Sequence, residues 1–124
     1  MNPFTIRLLA VPKAVPALRH AVREHLGAKG SADAELCVSE LLTNVITHLG
    51  EGTPVTLHIT GTGDGRTRVE LTDPDPRVWP VPRQAADEDE SGRGLALLDA
   101  VAARWGVHPG PHAGKTVWAE LPHP

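Results

Sequence analysis

Apolar residues recur at helical spacing over 34–49, where Val38, Leu41, Leu42, Val45 and Leu49 share one side. Glu40, Asn44 and His48 stand at i, i+4 and i+8, a polar row bordering that side. Ser31 is the expected N-cap, Asp33 and Glu35 lie in the first turn, and Gly50 and Gly52 close the helix. Before it, Phe4, Ile6 and Leu8 alternate as one face of a strand that Pro12 ends. Pro16 then suits the first turn of a helix running to about Gly27, with Leu18, Ala21, Val22, His25 and Leu26 on its stripe.

After the long helix the period changes from helical to alternating. Val55, Leu57 and Ile59 alternate with Thr56, His58 and Thr60, and Val69 and Leu71 alternate with Arg68, Glu70 and Thr72. The Gly-rich run from Gly61 to Gly65 joins these strands as a hairpin. Residues 77–91, with prolines and four adjacent acids at 87–90, read as a long loop. A third helix is expected over 92–103, with Leu95, Leu98 and Val101 or Ala102 inward, then closing strands at 104–108 and 116–121. The order β-α-α-β-β-loop-α-β-β predicts an α+β two-layer sandwich. It would have one mixed or mostly antiparallel sheet, with about three helices on one face.

Composition narrows this picture. The 124 residues suit one domain, residues 1–124, with a core large enough to need neither disulfide nor metal. A net charge of −3 with scattered basic residues predicts no general affinity for nucleic acid or anionic membranes. Cys37 is the lone cysteine and falls on the apolar side of the long helix, so a buried thiol is expected. No apolar stretch is long enough to span a bilayer and no signal region opens the chain, which makes the cytoplasm the simplest address. The seven histidines show no paired metal spacing. Ser39 has no nucleophile-elbow glycines and reads as helix surface. Trp79, Trp105 and Trp118 read as core or pocket wall, since no basic groove accompanies them.

Three stretches could carry chemistry. Glu40 and Asn44, one turn apart beside a core, can serve a nucleophile and a metal, although a solvated helix face would also show them. Asp73 ends a strand ahead of two prolines and can accept hydrogen bonds from a ligand amino group; an ordinary Asp turn is the alternative. Gly92, Arg93 and Gly94 open a helix whose unpaired N–H groups suit phosphate, or simply form a loose helix start. Gly114-Lys115-Thr116 resembles a phosphate-loop triplet, but no glycine stands five positions earlier and a strand follows it.

The ordered set of Glu40-x-x-x-Asn44, Asp73, Gly92-x-Gly94 and Thr116 resembles the GHKL ATP-binding family, with the Bergerat fold of histidine kinases, gyrase, Hsp90 and MutL. Within it, the chain is most similar to RsbW- and SpoIIAB-type anti-sigma-factor serine kinases and to small actinobacterial ATP-binding proteins, over roughly 11–121. The resemblance implies ATP and Mg²⁺ as cofactors. It implies Asn44 as the Mg²⁺ ligand and Glu40 as the general base toward a serine hydroxyl. Asp73 would receive the adenine amino group, with Thr116 near adenine. Gly92, Arg93 and Gly94 would meet the phosphates, and 77–91 would be the ATP lid. The implied partners are a sigma factor and a STAS-type anti-sigma-factor antagonist, the second being phosphorylated. Homodimerisation is also implied, and 4–9 offers an edge strand for it.

The family's first glycine box usually reads Asp-x-Gly-x-Gly. Here it is Asp73-Pro74-Asp75-Pro76, a stiffer loop. Together with the acids at 87–90, that supports a second reading, a non-catalytic nucleotide-binding or protein-interaction module in bacterial signalling. A detached histidine-kinase ATPase domain is a third, weaker reading, because nothing resembles a dimerisation helix with a phosphoacceptor histidine.

Overall fold

A computed structural model of the chain describes residues 2–27, 31–75, 98–110 and 113–122. Strand β1 (Phe4–Ala10) leads into α1 (Ala14–Leu26) and α2 (Ala32–Leu49), followed by β2 (Thr53–Gly61), β3 (Thr67–Asp73), β4 (Arg104–Pro109) and β5 (Lys115–Leu121). Residues 98–101, within the expected third helix, are helical. The sheet order is β1-β2-β3-β5-β4, and every pairing is antiparallel. The α+β sandwich expected from the pattern is the fold, and among the described residues its sheet is antiparallel throughout.

Strand parity sorts the side chains. Ala10, Val55, Leu57, Ile59, Val69, Leu71, Val117, Ala119 and Leu121 turn toward the helices and bury with Leu18, Val22, Val38, Leu41, Leu42, Val45 and Leu98. This apolar layer is the main source of stability, each fully buried aliphatic side chain contributing about 2 kcal/mol. Cys37 lies inside it; burial first, then the negative charges of Asp33 and Glu40, push its thiol up to about 12. Gly27 and Gly50 end α1 and α2 with φ of 85° and 100°, where a side chain would be strained.

Three expectations are corrected. Ser31 occupies the N-cap position, but its hydroxyl donates to Glu35 Oε2 at 2.9 Å rather than accepting from a helix N–H. Ser39 is buried, not surface, and donates to the Glu35 carbonyl at 2.8 Å, as small hydroxyls can inside a helix. Trp118 is neither core nor pocket wall. Its parity turns it to the sheet's outer face, where the Arg68 guanidinium stacks 4.3 Å from the ring centroid and that of Arg104 lies at 5.8 Å. Glu120 on that face accepts from Arg104 Nε at 2.7 Å and from Arg68 Nη1 at 2.8 Å, tying β3, β5 and β4 together.

Glu35 joins the two helices. It is only 5% exposed, accepts from Arg23 Nε at 3.1 Å, and has Arg19 Nε at 4.0 Å. The Ser31 hydrogen bond lowers its pKa from the ordinary value of 4.5; burial opposes this, and Arg23 and Arg19 reinforce it. A carboxylate with a lowered folded pKa adds stability above its unfolded pKa, and that stability is lost as pH falls through the folded value. The melting temperature is therefore expected to fall as pH drops below about 4.5, the model-compound range for glutamate. Glu35→Gln should melt lower at pH 7 and show a flatter acid limb. Parallel melting curves for the two proteins between pH 6 and pH 3 would contradict this.

Candidate functional site

The helical row expected from sequence exists, and it runs from inside to outside. Asn44 is 3% exposed, Glu40 is half-buried and His48 is exposed. The 3.6-residue period alone does this: Leu41 and Val45 point into the core, so a position one step around from them sits at its border. Helix α2 packs against β3, the strand that ends in Asp73.

Asn44 Nδ2 is buried and has no hydrogen-bond partner among the described residues. A buried amide left so costs about 1–3 kcal/mol, which a bound ligand would recover. A half-turn of the carboxamide exchanges nitrogen for oxygen, so the same group can offer a neutral oxygen to a cation. No cluster of three or more His, Cys, Asp or Glu able to hold a metal occurs among the described residues. A cation at Asn44 would therefore depend on ligand phosphates and water for its other bonds. Mg²⁺ accepts that arrangement readily, so the residues present fit it.

Asp73 is 3% exposed and stands in β3 on the same side as Val69 and Leu71. Its Oδ1 accepts the Asp75 N–H at 2.8 Å, an Asx turn that fixes the carboxylate beside Pro74. Directly across the ladder is Lys115, 2% exposed, whose Nζ donates to Asp73 Oδ1 at 3.1 Å and reaches the Asp75 carbonyl at 3.5 Å. Gly114 makes this approach possible, because a Cβ there would meet the Asp73 carbonyl oxygen at 2.1 Å. The Gly-Lys-Thr triplet, which fails as a phosphate loop, thus has a different physical reason.

Thr116 does not join Asp73. It pairs with Thr72, hydroxyl to hydroxyl at 2.7 Å, on the outer face of the sheet. Adjacent strand residues point to opposite sides, so Lys115, not Thr116, shares Asp73's side. Gly92, Arg93 and Gly94, with the expected lid at 77–91, lie outside the described residues. A cavity of about 470 Å³ opens against Arg7, Leu9, Pro54, Thr56, Thr72 and Pro74. Asp73 contributes to its wall, but Asn44 and Lys115 do not.

Sequence reasoning missed Lys115 and Glu35. Parity gives only a partial signal for Lys115: Val117, Ala119 and Leu121 on its side are inward, but Trp118 makes the opposite phase apolar in part. Glu35 gave no such signal, because an acid in a first helical turn is commonplace.

A family model described as the histidine kinase-like ATPase domain matches residues 8–121. An uncharacterised protein of Streptomyces coelicolor is 61% identical over 71 residues, covering 56% of this chain and 68% of that protein. The fold is similar to the crystal structure of the RsbU and RsbW domains of Rv1364c from Mycobacterium tuberculosis, with a TM-score of 0.70 and 22% identity. That likeness covers 98% of this chain but 32% of the other, so it speaks for the architecture alone. No helix among the described residues is long and apolar enough to cross a membrane.

Proposed function

Because the chain belongs to the histidine kinase-like ATPase domain family, we infer that it binds Mg-ATP and acts as an anti-sigma-factor-like regulator that phosphorylates an antagonist protein on serine. One observation carries this reading: a buried carboxamide nitrogen at Asn44, without a hydrogen-bond partner among the described residues, stands one helical turn from the half-buried carboxylate of Glu40. A helix face built only for solvent has no reason to bury the first and leave it unpaired.

In this reading Asp73 accepts the adenine amino group, and Asn44 turns its oxygen toward the cation. Mg²⁺ supplies charge neutralisation on the phosphates when bound. Glu40 takes the proton of the attacking serine hydroxyl as the serine oxygen bonds to the terminal phosphorus and ADP leaves. Gly92, Arg93 and Gly94 supply backbone N–H groups and one cation to the phosphates. A sigma factor and a STAS-type antagonist are the partners, and the site of action is the cytoplasm. Thr116, which the family resemblance sets near adenine, bonds Thr72 hydroxyl to hydroxyl at 2.7 Å, and Thr72 lines the same cavity as Asp73.

The second reading, a non-catalytic nucleotide-binding or interaction module, is favoured by a different observation. Lys115 already holds the carboxylate on which adenine binding depends. Phosphate transfer separates the two. With labelled ATP, Mg²⁺ and STAS-type antagonist domains from the source organism, label is expected on an antagonist serine. Glu40→Ala should cut transfer by roughly 10²–10⁴-fold, the usual loss on removing a general base, while ATP affinity stays within a few-fold. ATP binding without transfer to any such domain would sink the kinase and leave the module.

A further inference from the structure

Strand β1 ends the sheet and pairs on one side only, with β2. Alternate residues of such a strand turn their N–H and C=O groups toward the open edge. Among the described residues, no backbone hydrogen bond reaches β1 from that edge. Common protections of an edge are missing too. Phe4–Ala10 holds no proline or lysine, and its register with β2 runs without a bulge. The exposed side chains of β1 are Thr5, Arg7 and Leu9, which alternate along one face. Leu9 is 57% exposed and is the one exposed large hydrophobic among the described residues. It stands with Pro54 and Pro74 at the wall of the 470 Å³ cavity. Arg7, on the same wall, makes no hydrogen bond or ion pair among the described residues. An open ladder, an apolar anchor beside a cavity and an unpaired cation thus meet on one strand.

We propose that β1 is a docking edge for an extended segment of a partner protein. The segment adds to the sheet as a further strand, with an acidic residue opposite Arg7 and an apolar residue opposite Leu9. Charge decides between occupants. A second copy, paired about a two-fold axis, overlaps most fully when centred on Arg7, the middle residue of Phe4–Ala10. That register sets two guanidiniums against each other and Leu9 against a threonine, and like charges directly opposite are destabilising. Any other symmetric register shortens the ladder. A segment with an acid at that place gains an opposite-charge pair instead, and its apolar residue two positions away covers Leu9 at the mouth of the cavity.

Nuclear magnetic resonance on the full chain, labelled with nitrogen-15, tests the proposal. The probe is a blocked peptide of about seven residues, a usual strand length. It alternates Val with Leu, Glu and Thr, so that in antiparallel pairing Glu falls opposite Arg7 and Leu opposite Leu9. Saturable amide shifts centred on 4–10 are expected, with slowed amide exchange at alternate residues there. The peptide with Lys in place of Glu should bind about tenfold more weakly, and Arg7→Glu should reverse the preference. Equal affinity for the two peptides, or no binding of either at about 1 mM, would overturn the proposal. So would shifts without slowed exchange, because a ligand on the sheet face adds no ladder. A dimer in sedimentation that competes with the peptide would assign the edge to a second copy and overturn it as well. The two-peptide comparison uses wild type, so it decides whatever Arg7→Glu does.

Discussion

Replacing Asp73 with Asn is expected to weaken Mg-ATP binding by about a hundredfold, the loss of a hydrogen bond to a charged acceptor together with the mismatch of an amide facing an amino group. The same change should lower folding stability by about 3 kcal/mol, because it leaves the Lys115 ammonium buried without its counter-charge. Calorimetry and urea unfolding read the two losses separately. The double variant Asp73→Asn/Lys115→Met removes both charges together, so it should regain most of the stability and none of the affinity. Recovery of binding in the double variant would show that Asp73 matters for folding alone. Wild-type affinity in Asp73→Asn would remove the carboxylate from the base pocket.

The second large effect is expected at Gly114. An alanine there would set its Cβ 2.1 Å from the Asp73 carbonyl oxygen, and a backbone atom cannot swing aside as a side-chain tip can. Strand β5 or the end of β3 must move, and we expect Gly114→Ala to cost about 3 kcal/mol, near the upper end for overpacking. For a chain of 124 residues that corresponds to a fall in melting temperature of about 10 °C. Gly63→Ala is the control, since nothing stands within 4 Å of a Cβ there. A Gly114→Ala protein as stable as this control would mean the two strands close less tightly than described.

Much of this was open to reading before any coordinates. The period of Val38, Leu41, Leu42 and Val45 identifies α2 and places Asn44 at the border of the core, and alternation in 53–61 and 67–73 identifies β2 and β3. Asp73 follows from the phase of Val69 and Leu71. The last strand resisted because both of its phases are apolar in part. Val117, Ala119 and Leu121 go inward, but Trp118 goes outward, where two guanidiniums cover its ring. Hydrophobicity therefore leaves the direction of Lys115 and Thr116 undecided, and the order of motifs favoured the threonine. The buried Glu35 was hidden for a similar reason. Its burial depends on Arg23, twelve positions away on another helix, and no local pattern reports such a pairing.

The clamp on Glu120 reaches further than its own surroundings. A β-strand that slides by one residue turns every side chain to the opposite side. In β5 such a slip would carry Thr116 to Asp73 and expel the lysine into water. Glu120, gripped by one arginine from each neighbouring strand, keeps β5 from sliding. The choice of which residue faces Asp73 is thus enforced from the far end of the strand, on the opposite side of the sheet.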